Sequence, residues 1–163
     1  LKKIPLTQGQ FALVDDDDYK RFGHLKWHAW WNSHTKSYHA KRTGPRPDKK
    51  TIYLAREIMG VDDPKVKVDH ENHKTLDDRK SNLRACSNSQ NIANRNGPPS
   101  NNKSGLRGVW WDKTRRLWRA GIQVNMKTID LGRFEEKTSA ASAYRLANRQ
   151  HFGAFGGSTH PLK

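Results

Sequence analysis

The segment RNGPPSNNKSG, residues 95–105, constrains the chain most. It holds Pro, Gly, Asn and Ser and almost nothing apolar, so it reads as a linker, assigned to residues 96–104. A chain interrupted this way does not build one large core along its length. The remainder agrees: only 33% of residues are hydrophobic and the mean hydropathy is −1.03, which fits small cores joined by polar segments. The 163 residues suffice for one average domain or two small ones. Six Trp, four Tyr and five Phe in regular patterns exclude a fully disordered tail. No run approaches the roughly 18 apolar residues of a membrane span. No basic start leads into an apolar stretch, so the expectation is no secretory signal, no membrane and a cytoplasmic site of action. The single cysteine, Cys86, excludes an internal disulfide framework and a zinc site built from several thiolates.

The charge points to a polyanion. Lys plus Arg is 31 against 16 Asp plus Glu, a net charge of +15, and the pI is near 10.2. Residues 1–64 carry 12 basic and 8 acidic side chains, whereas residues 65–163 carry 19 and 8. Most of the electrostatic attraction therefore lies in the second half. A membrane-surface helix would need basic and bulky apolar faces together. The last helix candidate is Ala-rich, so nucleic acid is the expected partner.

Along the chain, IPLTQGQFALV (residues 4–14) alternates as a short hairpin. The acidic run Asp15–Asp18 reads as a turn and the start of a short helix, YKRFGHL, where carboxylates complement the helix dipole. KWHAWWN and KSYHAKRT are two β-like runs joined by a turn near Asn32–Lys36. Trp27, Trp30 and Trp31 are expected in the core and on sheet faces. GPRPDKK is a loop. TIYLAREIMGV is expected as a helix with Ile52, Ala55, Ile58 and Met59 on one face and Gly60 closing it. His24 and His28 lack further ligands and read as surface or packing residues.

Residues 65–95 give strand, loop, strand, helix. KVKVD and NLRAC are the strands, ENHKTLDDRKS is the loop, and SNSQNIANR opens a helix with Ser87 and Gln90 as a capping box. Asp69 and His70 end the first strand, Asn82 starts the second, and Asn91 lies in the first helical turn. Folding back brings a carboxylate, an imidazole and an amide oxygen toward one point. A carboxylate with an amide oxygen is a hard-oxygen pair that suits Mg²⁺ or Mn²⁺. A neutral imidazole can take a proton from water near physiological pH. These are parts of a one-metal phosphodiesterase.

The stretch VDHENHKTLDDRKSNLRACSNSQN closely resembles the HNH nuclease motif in its homing-endonuclease form. The resemblance covers about residues 50–95. It implies a ββα-metal unit with His70 as general base and Asp69 as a metal ligand. It further implies that Asn82 bonds across the loop to hold His70, and that Asn91 is the second metal ligand where many relatives carry His. His73 falls outside the motif and reads as a loop residue.

Residues 105–155 give three period-two runs, LRGVWWD, LWRAGIQV and KTIDLGRF, joined by the hairpin-length links KTRR and NM. A helix, SAASAYRLANRQHF, follows with Thr138 as its expected cap. Ala140, Ala143, Tyr144, Ala147 and His151 are expected on its packed stripe, and the tail from Gly153 reads as frayed. RGV, WRAGI, LGRF and AASAYRLA in that order resemble the DNA-binding domain of plant ethylene-response factors, the Apetala-two domain. In that family the sheet lies in the major groove with the helix behind it. The resemblance implies that Trp118, Ala120, Ile122, Ile129 and Leu131 face the helix, and that Arg119, Gly121, Gln123, Thr128 and Asp130 face DNA. Arg107 is the implied base contact, since Arg bonds guanine bidentately. Trp110, Arg115, Arg116 and Lys127 are implied contacts to sugar or phosphate.

The expected fold class is α+β, in four segments. A β-rich region with a helix occupies 1–60 and an HNH ββα unit 61–95. The linker at 96–104 leads to a three-stranded antiparallel sheet on one helix at 105–157. The expected activity is site-specific, Mg²⁺- or Mn²⁺-dependent hydrolysis of double-stranded DNA, one ion per site, with a 3′-hydroxyl leaving. The protein is expected as a monomer on DNA, nicking one strand per event unless it pairs. The alternative is a DNA-binding regulator whose HNH fold does not cleave. An RNA-binding module is disfavoured, because no aromatic RNP-like strand is present.

Overall fold

A computed structural model describes residues 1–95, 97–98 and 101–156. Among these described residues the fold is α+β with four small antiparallel sheets, and contacts divide the chain into Leu1–Ser87 and Asn88–Lys163. The expected linker contains residues 96, 99 and 100, and the expected last domain ends at 157; these four lie outside the described residues.

In the first unit, β1 (Lys2–Pro5) and β2 (Phe11–Val14) form the expected hairpin, and α1 (Asp16–Phe22) follows with acidic residues in its first turn. A second sheet has the order β3 (His28–Asn32), β4 (Ser37–Thr43), β5 (Thr51–Tyr53). Helix α2 spans only Leu54–Met59 and ends at Gly60, whose φ of 61° is the left-handed conformation glycine adopts without strain. The helix expected from Thr51 onward is therefore shorter. Thr51 and Ile52 are β-branched and Tyr53 aromatic, and all three pair with Thr43, Arg42 and Lys41 of β4. β6 (Lys67–His70) pairs with β7 (Leu83–Cys86), which a 3-10 turn at Lys80–Asn82 precedes. Ile4, Val14, Phe22, Trp27, Leu54, Ile58 and Leu83 form one core beneath these elements. Trp27 is in that core, Trp30 is half-buried, and Trp31 is exposed.

The second unit opens with α3 (Asn88–Ala93) and continues through β8 (Val109–Asp112), β9 (Leu117–Val124) and β10 (Lys127–Phe134) to α4 (Lys137–Phe152). The sheet order is β10-β9-β8. Val109, Ala120, Ala140 and Ala141 make its core with Leu106, Trp118, Leu131, Phe134 and Ala143 around them. Small residues on α4 let the helix lie close to the sheet. Gly108, at φ 64°, permits the closest approach, since a Cβ there would meet the Tyr144 ring at 2.0 Å. Two expectations for α4 are corrected. The helix begins ahead of Thr138, with Glu136 at its cap position and no side-chain capping bond. Its buried stripe is Ala140, Ala141, Ala147 and Asn148, while His151 is exposed. The Asn148 side-chain amide donates to the carbonyl of Gly156, which closes the short 3-10 turn Gly153–Phe155 that follows. Among the described residues no helix is long and apolar enough to cross a membrane.

Candidate functional site

The site grows from the turn between β6 and β7. Asn82 laces that turn. Its Oδ1 accepts from the Asn72 amide at 3.0 Å, its Nδ2 donates to the Asp77 carbonyl at 2.7 Å, and its own carbonyl accepts from Glu71 at 2.9 Å. Asp77 adds a second brace. It takes Arg79 Nε and Nη2 at 2.6 Å each and Asn72 Nδ2 at 2.8 Å. The Arg79 hydrogen bonds hold the Asp77 carboxyl below the usual carboxylate range.

This loop is pinned to the surrounding fold as well. Leu13 donates to the Leu76 carbonyl, Thr75 Oγ1 donates to the Tyr38 carbonyl, and Asp15 Oδ2 accepts from the Lys80 amide. The Lys80 ammonium reaches buried Asp18 at 3.3 Å. The acidic run thus braces the loop in addition to opening α1.

His70 ends β6 facing the core side. Its Nε2 lies 2.9 Å from Asp78 Oδ1, with both side chains buried. Burial pushes the Asp78 carboxyl up, and the His70 hydrogen bond opposes that shift. The His39 ring meets the His70 ring edge-on, with centroids 6.5 Å apart. Burial, reinforced by the neighbouring His70, lowers the His39 pKa to about 4, so His39 is neutral at physiological pH.

Asp69 lies opposite Arg84 in the register, and His70 opposite Leu83. Adjacent strand residues leave on opposite faces, and their partners differ accordingly. Arg84 Nε donates to Asp69 Oδ2 at 2.8 Å, and Arg84 Nη1 is 3.8 Å from Glu71. Burial first, then the Asp69 charge, raises the Cys86 thiol to about 11, so it stays protonated. The structure brings His70 and Asn82 into one hydrogen-bonded turn and gives Asp69 an arginine partner. Asn91 stands on α3 in the second unit, where α3 packs with α4. Among the described residues no three His, Cys, Asp or Glu side chains converge as a metal-holding group.

In the second unit the strand register sorts the sheet residues. Trp110, Arg119, Gly121, Gln123, Thr128 and Asp130 share the face opposite the core. The Trp110 ring lies against Gly121, where a Cβ would meet it at 2.9 Å. Arg119 stacks over Trp110 at 5.5 Å and bonds Asp130 at 2.8 Å. The Asp130 carboxyl is held low by that bond. Trp118, Ala120, Ile122 and Ile129 share the helix side, and Leu131 packs into the core at a β-bulge. Lys127 pairs with Val124 on the helix side of the sheet rather than on the outer face. Arg115 and Arg116 are exposed in the β8–β9 turn. Arg107, the implied base contact, is engaged within the protein. Its guanidinium donates to the carbonyls of Ile92, Ala93 and Arg95, so it clamps the C-terminal end of α3.

Sequence reasoning missed Asp78, His39 and Arg84. Asp78 and Arg84 lie within the quoted motif but outside its fixed positions. His39 lies on a different sheet, and no local pattern connects it to His70.

The chain is 28% identical over 148 residues to the uncharacterized HNH endonuclease L560 of Acanthamoeba polyphaga mimivirus. The match covers 91% of this chain and 74% of that protein. No family model matches the chain, and no solved structure matches it.

Proposed function

We propose that this protein is a DNA endonuclease of the HNH homing type, hydrolysing a DNA phosphodiester with His70 as general base. The observation that carries it is the buried His70–Asp78 pair at the end of β6, on a turn laced by Asn82. The resemblance to an HNH endonuclease across most of the chain agrees with it.

His70 takes a proton from water as the water oxygen bonds phosphorus, and the P–O3′ bond breaks to leave a 3′-hydroxyl once its oxygen is protonated from solvent. Asn82 fixes the backbone from which His70 projects. Asp69 would hold Mg²⁺ or Mn²⁺. A single carboxylate completed by water and phosphate oxygens is a donor set those ions accept. Such an ion, when bound, neutralises charge on the scissile phosphate. Arg84 already donates to Asp69, so Asp69 would hold an ion only by sharing or releasing that contact. Asn91 is the proposed second ligand, and Asn91→Ala should lower the Mg²⁺-dependent nicking rate.

The outer face of the second sheet, with Trp110, Arg119, Gln123 and Thr128, is the proposed double-stranded DNA contact, together with Arg115 and Arg116. Residues 100–163 carry 12 basic and 4 acidic side chains, which supports a binding face. The protein acts as a monomer on DNA in this proposal, and one hydrolytic centre nicks one strand per event. Phage or other mobile-element origin follows the family resemblance.

The Asp69–Arg84 pair favours one rival, a DNA-binding regulator without cleavage, since it occupies the carboxylate with a cation the protein supplies. A supercoiled plasmid assay with Mg²⁺ separates the two. Endonuclease activity yields nicked circles with the parent and lower rates with Asp69→Ala; retention of duplex DNA with no cleavage by the parent favours the regulator.

A further inference from the structure

We propose that Asp78 is a positioning residue for His70, holding its imidazole with the proton on Nε2 so that Nδ1 is the nitrogen that accepts a proton from water. The role rests on His70 being the base. Three observations carry it.

The first is the contact itself, 2.9 Å between His70 Nε2 and Asp78 Oδ1, with Asp78 only 1% exposed and His70 7%. Solvent does not compete for that nitrogen. A carboxylate is an acceptor, so the ring nitrogen facing it is the donor. An imidazole with Nε2 protonated presents its lone pair at Nδ1.

The second is the cost of Asp78. Its Oδ2 is buried and has no hydrogen-bond partner among the described residues. A buried carboxylate with half its acceptors empty is an expensive way to fill a loop interior. Leu, Asn or a backbone carbonyl would serve packing at lower cost. A carboxyl oxygen aimed at the ring nitrogen does what an apolar side chain does not: it accepts the Nε2 proton and fixes the orientation of the imidazole.

The third is the rigidity around the pair. Asp77, the preceding residue, is fixed through its carbonyl by Asn82 and through its carboxylate by Arg79 and Asn72. His39 packs edge-on against the ring and is neutral, so it limits ring rotation without setting a second positive charge beside the imidazolium. The proton path balances simply. One water O–H bond breaks, an Nδ1–H bond forms, and the ring is left as an imidazolium whose two protons face Asp78 and the former water.

The tests use the full chain. Nitrogen-resolved NMR of the histidine rings, with the His70 signals assigned by their loss in His70→Gln, reads the tautomer of the parent without any change at Asp78. The Nε2–H form supports the proposal, and the Nδ1–H form overturns it. Steady-state cleavage of a plasmid substrate with Mg²⁺ is the second readout. Asp78→Asn and Asp78→Ala should lower kcat by about 10- to 100-fold, the cost of losing an imidazole's orienting partner, with KM for DNA within about twofold. Asn, which retains an acceptor oxygen, should lose less than Ala. Parental kcat in a folded Asp78→Asn protein overturns the proposal while leaving His70 as the base. Parental cleavage by His70→Gln overturns the underlying function and the positioning role with it.

Discussion

Arg84 Nε donates to Asp69 Oδ2 at 2.8 Å, with both side chains largely shielded from water. The carboxylate expected to receive a metal ion thus already carries a cationic partner. Removing the guanidinium takes away a shielded charge-assisted hydrogen bond, costing roughly 1.5–3 kcal/mol, the scale of a hydrogen bond to a charged group. Arg84→Ala should lower the thermal midpoint. Mg²⁺ should then raise the midpoint of Arg84→Ala by more than it raises that of the parent, since the ion replaces the lost charge. Scanning calorimetry with and without Mg²⁺ checks both; an equal Mg²⁺ effect on the two proteins argues that Asp69 holds no ion.

Gly121 is the floor on which the Trp110 indole rests. Gly121→Val sets a side chain into the ring at a position 2.9 Å from it and 3.2 Å from the Ile129 carbonyl. The indole must lift off the sheet. If that face contacts DNA, duplex affinity falls by about tenfold, equivalent to about 1.4 kcal/mol. Fluorescence anisotropy on labelled duplex measures the loss, and tryptophan emission reports the displaced ring. Unchanged affinity with shifted emission removes this face from the binding account.

Arg107 is tied to three carbonyls at the end of α3. Arg107→Ala should therefore act on stability before it acts on recognition. The expected cost is about 1.5–3 kcal/mol for lost charge-assisted hydrogen bonds, seen as faster amide exchange in α3. Base preference in a randomised duplex selection should stay parental. A lost base preference with unchanged exchange would restore the reading drawn from the RGV motif.

His39 links stability to acidity. Its folded pKa is about 4 against 6.5 when unfolded. Between those values the unfolded chain binds more protons than the folded one, so stability falls as pH falls from about 6.5 toward 4. Above 6.5 both forms are neutral and His39 contributes no slope. His39→Gln removes the ionisable ring, so the thermal midpoint of that variant should fall less steeply across this window. Identical slopes for the two proteins would mean that His39 is not held neutral.

What was legible in the sequence was local. β8, β9 and β10 follow alternation between short turns, and their runs LWRAGIQV and KTIDLGRF match the strands residue for residue. The face-sorting of Arg119 and Ala120 needs only a period of two. The bonds of Asn82 across its loop follow the motif spacing. Distant partners were not legible. Ile52, Ala55, Ile58 and Met59 have helical spacing, yet pairing with β4 claimed Thr51–Tyr53 for a strand. Nothing near Asp78 in the chain indicates that its carboxylate turns inward to His70. Arg107 follows its family motif, but the carbonyls it meets lie 12–15 residues earlier in the chain. The arginine opposite Asp69 becomes visible only once the β6–β7 register is fixed.

The central claim is that His70 activates water for phosphodiester hydrolysis. The most direct measurement is the nicking rate of supercoiled plasmid with Mg²⁺ for the parent and for His70→Ala, at protein concentrations where both retain duplex DNA equally. General-base catalysis by a positioned imidazole is worth about 10²–10⁴-fold, so the variant should nick at least about 100-fold more slowly than the parent. Equal rates for the two proteins, or no nicking by either, would contradict it.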